Sequence, residues 1–109
     1  MKYVHLFVAV ISMLIFSGVL AAADAAAGKD LYGKKCASCH GAAGEGKEAI
    51  AKMMKVEFKH LGSKEVQAKS DGDLHKIIAE GGQKMKPIKD LDAKLIDDVV
   101  AYLRTLAKN

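Results

Sequence analysis

Five consecutive residues, Cys36-Ala37-Ser38-Cys39-His40, carry the most evident chemistry of this chain. A C-x-x-C-H run is the attachment pattern of a c-type haem. Two thiols with two residues between them span the distance between the ring's vinyl groups and can form thioethers to them. The adjacent imidazole then reaches the iron without any loop closure. These are the only two cysteines, so neither has another disulfide partner. A C-x-x-C pair also serves as a redox dithiol, which calls for a thioredoxin-like βαβ setting. It can equally form half of a zinc site, which calls for four ligands. The sequence offers no strand-rich segment and no second C-x-x-C, so haem attachment is the favoured reading.

Haem iron takes a second axial ligand, and its identity sets the role of the centre. Met/His ligation raises the potential and suits electron transfer. An open or labile position permits small-ligand binding or peroxide chemistry. The candidates are Met53, Met54, Met85, His60 and His75. Met85 lies in Gly81-Gly82-Gln83-Lys84-Met85-Lys86-Pro87, where glycines let the backbone pass close to a ring and Pro87 stiffens the exit. Met53 and Met54 fall on a helical stripe and read as core packing. His75 in a helix and His60 in a lysine-rich stretch read as surface or internally satisfied side chains.

The elements that must position these residues are helices. Asp24 caps a first helix over Ala25–Lys35, with Gly28 and Tyr32 on one face. Lys47–Met54 has the spacing of a short helix, and residues 55–62 read as irregular. Ser70-Asp71-Gly72-Asp73 resembles a capping box opening a helix over Asp71–Glu80, which Gly81 ends. Asp92 caps a last helix over Ala93–Lys108, whose Leu95, Ile96, Val99, Val100, Leu103 and Leu106 form a stripe of period 3.6.

The N-terminus reads as a leader. A short basic start precedes an apolar run from Val4 to Leu20, broken by His5, Ser12 and Ser17, and Ala21-Ala22-Ala23 offers a cleavage site before Asp24. The competing reading is an uncleaved membrane anchor, and a cut after Ala25 is a second option. Residues 1–23 are therefore expected to be a signal peptide and 24–109 one small domain. The chain has 17 basic and 13 acidic residues, net +4, and loss of Lys2 with the leader would leave +3. Lysines and acids are interspersed, which argues against a nucleic-acid partner. With three Phe, three Tyr and no Trp, a domain of this size has little apolar bulk and would gain from a covalent staple.

Taken together, these residues resemble the class I cytochrome c family, in particular its small, soluble, single-haem periplasmic members. Gly28 and Tyr32 precede the first cysteine as in the family's N-terminal helix, Val99 and Tyr102 match its C-terminal helix, and Met85 with Pro87 matches its distal Met loop, with Lys86 intervening. The resemblance covers nearly all of residues 24–109, but the proline that supports the proximal histidine in many members is missing after the motif, Pro87 being the only one, so it implies another backbone acceptor for the His40 Nδ1 proton, expected between Glu45 and Val56. It implies an all-α cytochrome c fold, with four to five short helices around one covalent haem c and the terminal helices crossing at Gly28. It also implies thioethers from Cys36 and Cys39, iron ligation by His40 and Met85, and a periplasmic electron carrier that is not an enzyme. The expected partners are redox proteins docking transiently, steered by Lys84, Lys86 and Lys89. The expected state is a monomer without stable membrane association once the leader is removed. The alternative is a haem protein with a labile sixth ligand, acting as a sensor or a peroxidase-like enzyme.

Overall fold

The computed structural model describes residues 22–108, so most of the expected leader lies outside the described residues. Six helices are present among them: α1 (Ala25–Lys35), α2 (Ala37–His40), α3 (Glu48–Met54), α4 (Lys64–Gln67), α5 (Asp71–Glu80) and α6 (Ala93–Thr105). No strand occurs among the described residues, only an isolated bridge between Gly82 and Met85. No helix there is long and apolar enough to cross a membrane. Two single-turn helices, α2 and α4, raise the expected four to five helices to six.

The three longest helices, α1, α5 and α6, start where side-chain chemistry satisfies free N–H groups, whereas α3 has no side-chain cap. The amides of Ala26 and Ala27 donate to Asp24 Oδ1 at 3.0 and 3.1 Å. The Asp73 amide donates to Ser70 Oγ at 3.0 Å, and the Leu95 amide to Asp92 Oδ1 at 2.9 Å. Ser63 does the same for α4, accepting from the Val66 amide. The last helix stops at Thr105 rather than Lys108, because the chain turns away and the Lys108 amide donates to the Gly62 carbonyl at 2.8 Å.

The frame of the domain is the crossing of α1 and α6, with α5 packed on α6. Tyr32, Val99, Val100, Leu103, Ile96, Leu74 and Ile78 are buried there. Complete burial of one such aliphatic side chain contributes about 1.5–3 kcal/mol. At the crossing the two backbones nearly touch: a Cβ on Gly28 would lie 1.9 Å from the Asp98 carbonyl oxygen. That is why a residue of poor helix propensity stands inside α1. Tyr32 and Tyr102 pack with ring centroids 5.3 Å apart, tilted by 55°. Asp98 interrupts the apolar stripe of α6 and is 1% exposed. Its carboxylate accepts from the Asp24 amide at 2.8 Å and from Lys94 Nζ at 2.8 and 3.1 Å.

Arg104 and Gln67 tie the long connection between α3 and α5 onto α6. Gln67 Nε2 donates to the Leu61 and Leu103 carbonyls, and the Arg104 guanidinium to the Gln67 and Lys69 carbonyls and to Asp71. This connection is mostly irregular, so these side-chain bonds replace a ladder.

The crossing yields a paired prediction. Gly28→Ala gains helix propensity of about 1 kcal/mol but forces the helices apart, so chemical denaturation should show a net loss of about 1–3 kcal/mol. Gly33→Ala, in the same helix with nothing within 4 Å of the added carbon, should be neutral or stabilising by up to about 1 kcal/mol.

Candidate functional site

The motif is delivered by the end of α1. Cys36 ends that helix, its amide donating to the Tyr32 carbonyl at 2.9 Å, and the His40 amide donates to the Cys36 carbonyl at 2.9 Å to form the single turn α2. The following loop folds back over this turn: the Gly46 amide donates to the His40 carbonyl at 2.6 Å and the Lys47 amide to the Cys39 carbonyl at 2.9 Å. From beneath, the Tyr32 hydroxyl donates to the Gly41 carbonyl at 2.5 Å. Tyr32 is 2% exposed, and burial, followed by the nearby Cys36, pushes its phenol up to about 12. It therefore stays a donor throughout the neutral range.

Cys36, Cys39 and His40 open onto a cavity of about 510 Å³. Val56, Phe58, Leu61, Val66, Ile77 and Ile88 form much of its apolar wall. The Phe58 ring packs on His40 with centroids 5.3 Å apart. Met85 and Met54 line the same cavity. The fold thus brings together the four residues selected from the sequence, which span positions 36 to 85. Met53 is 72% exposed and outside the core, contrary to the packing expected of it. His75 bonds Asp97 at 2.7 Å, and His60 Nδ1 accepts from the Gly62 amide.

The Met85 loop is held at three points. The amides of Gly82 and Met85 donate to each other's carbonyls at 3.1 and 2.9 Å around a tight turn. The Ile88 amide donates to the Ile78 carbonyl, fastening the exit to α5. Lys84 Nζ donates to the Met54 carbonyl at 2.8 Å, closing the loop against the end of α3. Gly81 makes the entry possible. It has a φ of +80°, and a Cβ there would meet the Met85 carbonyl at 2.7 Å and the Pro87 nitrogen at 2.9 Å.

The protonation chemistry separates the readings of the motif. Burial, followed by the neighbouring Cys39, pushes the Cys36 thiol up to about 11. Redox-active dithiols depend on a lowered value, so this pair is poorly placed for dithiol exchange. Burial holds the His40 imidazole below its usual value, leaving it neutral with a ring-nitrogen lone pair free to ligate. Cys36, Cys39 and His40 do not form a group that could hold a metal ion among themselves. The acceptor expected for His40 between Glu45 and Val56 is not found: Nδ1 is buried with no hydrogen-bond partner. An apolar cavity of this size, two free thiols at its edge and a neutral histidine on its wall fit a haem held covalently.

Several site residues gave no local signal. Phe58 lies in a stretch read only as irregular, and the Tyr32 hydroxyl and the Lys84 ammonium act through contacts visible only after folding. Charge is one-sided at the cavity: Lys35, Lys59, Lys69, Lys84 and Lys86 line it against Glu57 alone.

Comparison with known proteins adds an independent line. A family model described as "Cytochrome C oxidase, cbb3-type, subunit III" matches residues 23–103. Cytochrome c-554(547) of Halothiobacillus neapolitanus is 36% identical over 91 residues, covering 78% of this chain and 99% of the relative. The solved structure of the KustC0563 c-type cytochrome superposes with a TM-score of 0.65 at 27% identity, covering 74% of this chain and 98% of the other.

Tyr32→Phe tests the support beneath the motif. It removes the donor and leaves the Gly41 carbonyl unpaired in a buried position, so denaturant unfolding should show a loss of about 1–3 kcal/mol. An unchanged midpoint would show that the hydroxyl bond contributes nothing.

Proposed function

The chain belongs to the cytochrome c family, and on that premise we propose that it is a single-haem electron carrier exported to the periplasm, with His40 and Met85 as axial ligands. The observation that carries this reading is the shared cavity: the motif from the end of α1 and Met85 from the loop after α5 line one apolar space. Bound there, haem c supplies one-electron exchange between ferrous and ferric iron, at a potential that Met/His ligation raises.

The chain's own residues do the rest. Cys36 and Cys39 would anchor the ring by thioethers. His40, kept neutral by burial and steadied by Phe58, would offer a nitrogen to the iron. Met85 would offer a thioether, which carries no proton and so binds without pH-dependent activation. Apolar side chains exclude water, which lowers the reorganisation that accompanies a change of charge. No nucleophile or proton shuttle is needed for this role. Met54 lines the same cavity and is the second candidate for the sulfur ligand. Removal of residues 1–23 as a leader belongs to the same reading.

The lysines around the cavity suit transient docking of an acidic redox partner. Opposite charge steers encounter and raises the association rate more than it deepens binding.

Two outcomes follow. Met85→Ala should abolish the far-red band that a methionine–ferric iron bond gives, while Met54→Ala leaves it in place; survival of the band in Met85→Ala would transfer the ligand role to Met54. Raising ionic strength from about 0.01 M to about 0.15 M shortens the screening length from about 30 Å to about 8 Å. Electron exchange with an acidic partner should then slow by about 10-fold or more. A rate independent of salt would refute lysine steering.

A further inference from the structure

The buried Asp98 carboxylate lies in a charge environment that the unprocessed chain leaves incomplete. It sits at the crossing of α1 and α6 with 1% exposure. Lys94 from α6 is the charged group acting on Asp98, and the Asp24 carboxylate from the start of α1 and the Asp92 carboxylate from the cap of α6 act on that Lys94. Three carboxylates thus surround one ammonium. The Asp24 carboxylate is occupied with the Ala26 and Ala27 amides, and Lys94 Nζ is shared between the two oxygens of Asp98. The remaining donor to Asp98 is the backbone nitrogen of Asp24, 2.8 Å from Oδ1. In the full-length chain that nitrogen is an uncharged amide. A buried carboxylate gains much more from a cation than from a neutral donor.

We propose that cleavage between Ala23 and Asp24 completes this contact, the freed Asp24 α-ammonium forming an ion pair with Asp98 that locks the first helix against the last. The inference rests on the reading that residues 1–23 are a leader. The step is a hydrolysis by a leader-removing endopeptidase. The bond from the Ala23 carbonyl carbon to the Asp24 nitrogen breaks and the oxygen of one water adds to that carbon. Ala23 is left as a carboxylate and Asp24 as an ammonium. Both Ala22 and Ala23 are exposed. The contact also discriminates between cleavage sites: a cut after Ala25 would remove the α1 cap and the donor to Asp98 together.

The pair acts on the fold where a charge has most leverage. Asp98 lies opposite Gly28, where the two backbones are closest, and Tyr32 one turn further along α1 supports the loop after His40. The Asp24 amide, followed by Lys94, already holds the Asp98 carboxyl below the usual carboxylate range. An ammonium in place of the amide strengthens that effect, and by reciprocity the anion favours the charged form of the amine.

The test uses the exported, haem-loaded protein. N-terminal sequencing identifies the first residue, and an NMR pH titration follows its α-amine. The expected result is a chain beginning at Asp24 whose amine titrates clearly above the range of about 7.7–8.0 of an ordinary terminus. Asp98→Asn, which keeps an acceptor but loses the charge, should return the amine to the ordinary value. Lys94→Gln, which leaves Asp98 intact and removes its competing cation, should keep the amine at or above the wild-type value. It also stands as the second variant if Asp98→Asn fails to fold. A mature chain that begins elsewhere refutes the cleavage site and the proposal with it. A chain that begins at Asp24 with an ordinary amine, or a Lys94→Gln amine that falls to the ordinary value, refutes the ion pair alone.

Discussion

The contact of Gly28 with the Asp98 backbone is the constraint on which the remaining structure rests. It sets the separation of α1 and α6, and therefore where α1 ends. Two turns beyond Gly28, that end carries Cys36 into the single turn that presents Cys39 and His40. Tyr32 lies between the two, buried against Tyr102 on one side and bonded to the Gly41 carbonyl on the other. A larger residue at position 28 would alter this relay before it altered anything in the cavity. Asp98 adds polarity at the same place, and its three hydrogen bonds make that polarity tolerable in an apolar interface.

The second constraint is volume. The terminal helices and α5 bury a small core, while further apolar side chains, including Val56, Phe58, Leu61 and Ile77, line a cavity. Apolar walls gain stability only when something fills the space between them. A haem held by the motif would do so, and would offset the long irregular connections of a chain without tryptophan. The Met85 loop is fastened to α5 at both ends and to α3 through Lys84, so a soft sulfur is held in place by backbone bonds rather than by its own packing.

Much of this was legible in the sequence, for identifiable reasons. The starts of α1, α5 and α6 follow from Asp24, Ser70 and Asp92, whose capping chemistry is local. The stripe of α6 fixed its buried face, and the motif and the glycine-flanked Met85, chosen from the sequence, line one cavity. Less legible were features created by residues far apart in the chain. Asp98 interrupts an apolar stripe, and only the crossing shows why a carboxylate is accepted there. Gln67 and Arg104 look like surface residues until α6 meets the connection before α5. Phe58 lies in a segment without periodicity, and the one-turn α4 is too short for its Ser63 cap to stand out. The unpartnered His40 Nδ1 matches the absence of a proline near the motif, but the expected replacement carbonyl is not supplied.

The central claim is that Cys36 and Cys39 are thioether anchors, and intact mass under denaturing conditions tests it most directly. Protein recovered from an exporting host competent in haem attachment should retain the mass of one haem after unfolding, with neither cysteine open to alkylation. A polypeptide-only mass with two alkylatable thiols would contradict the account.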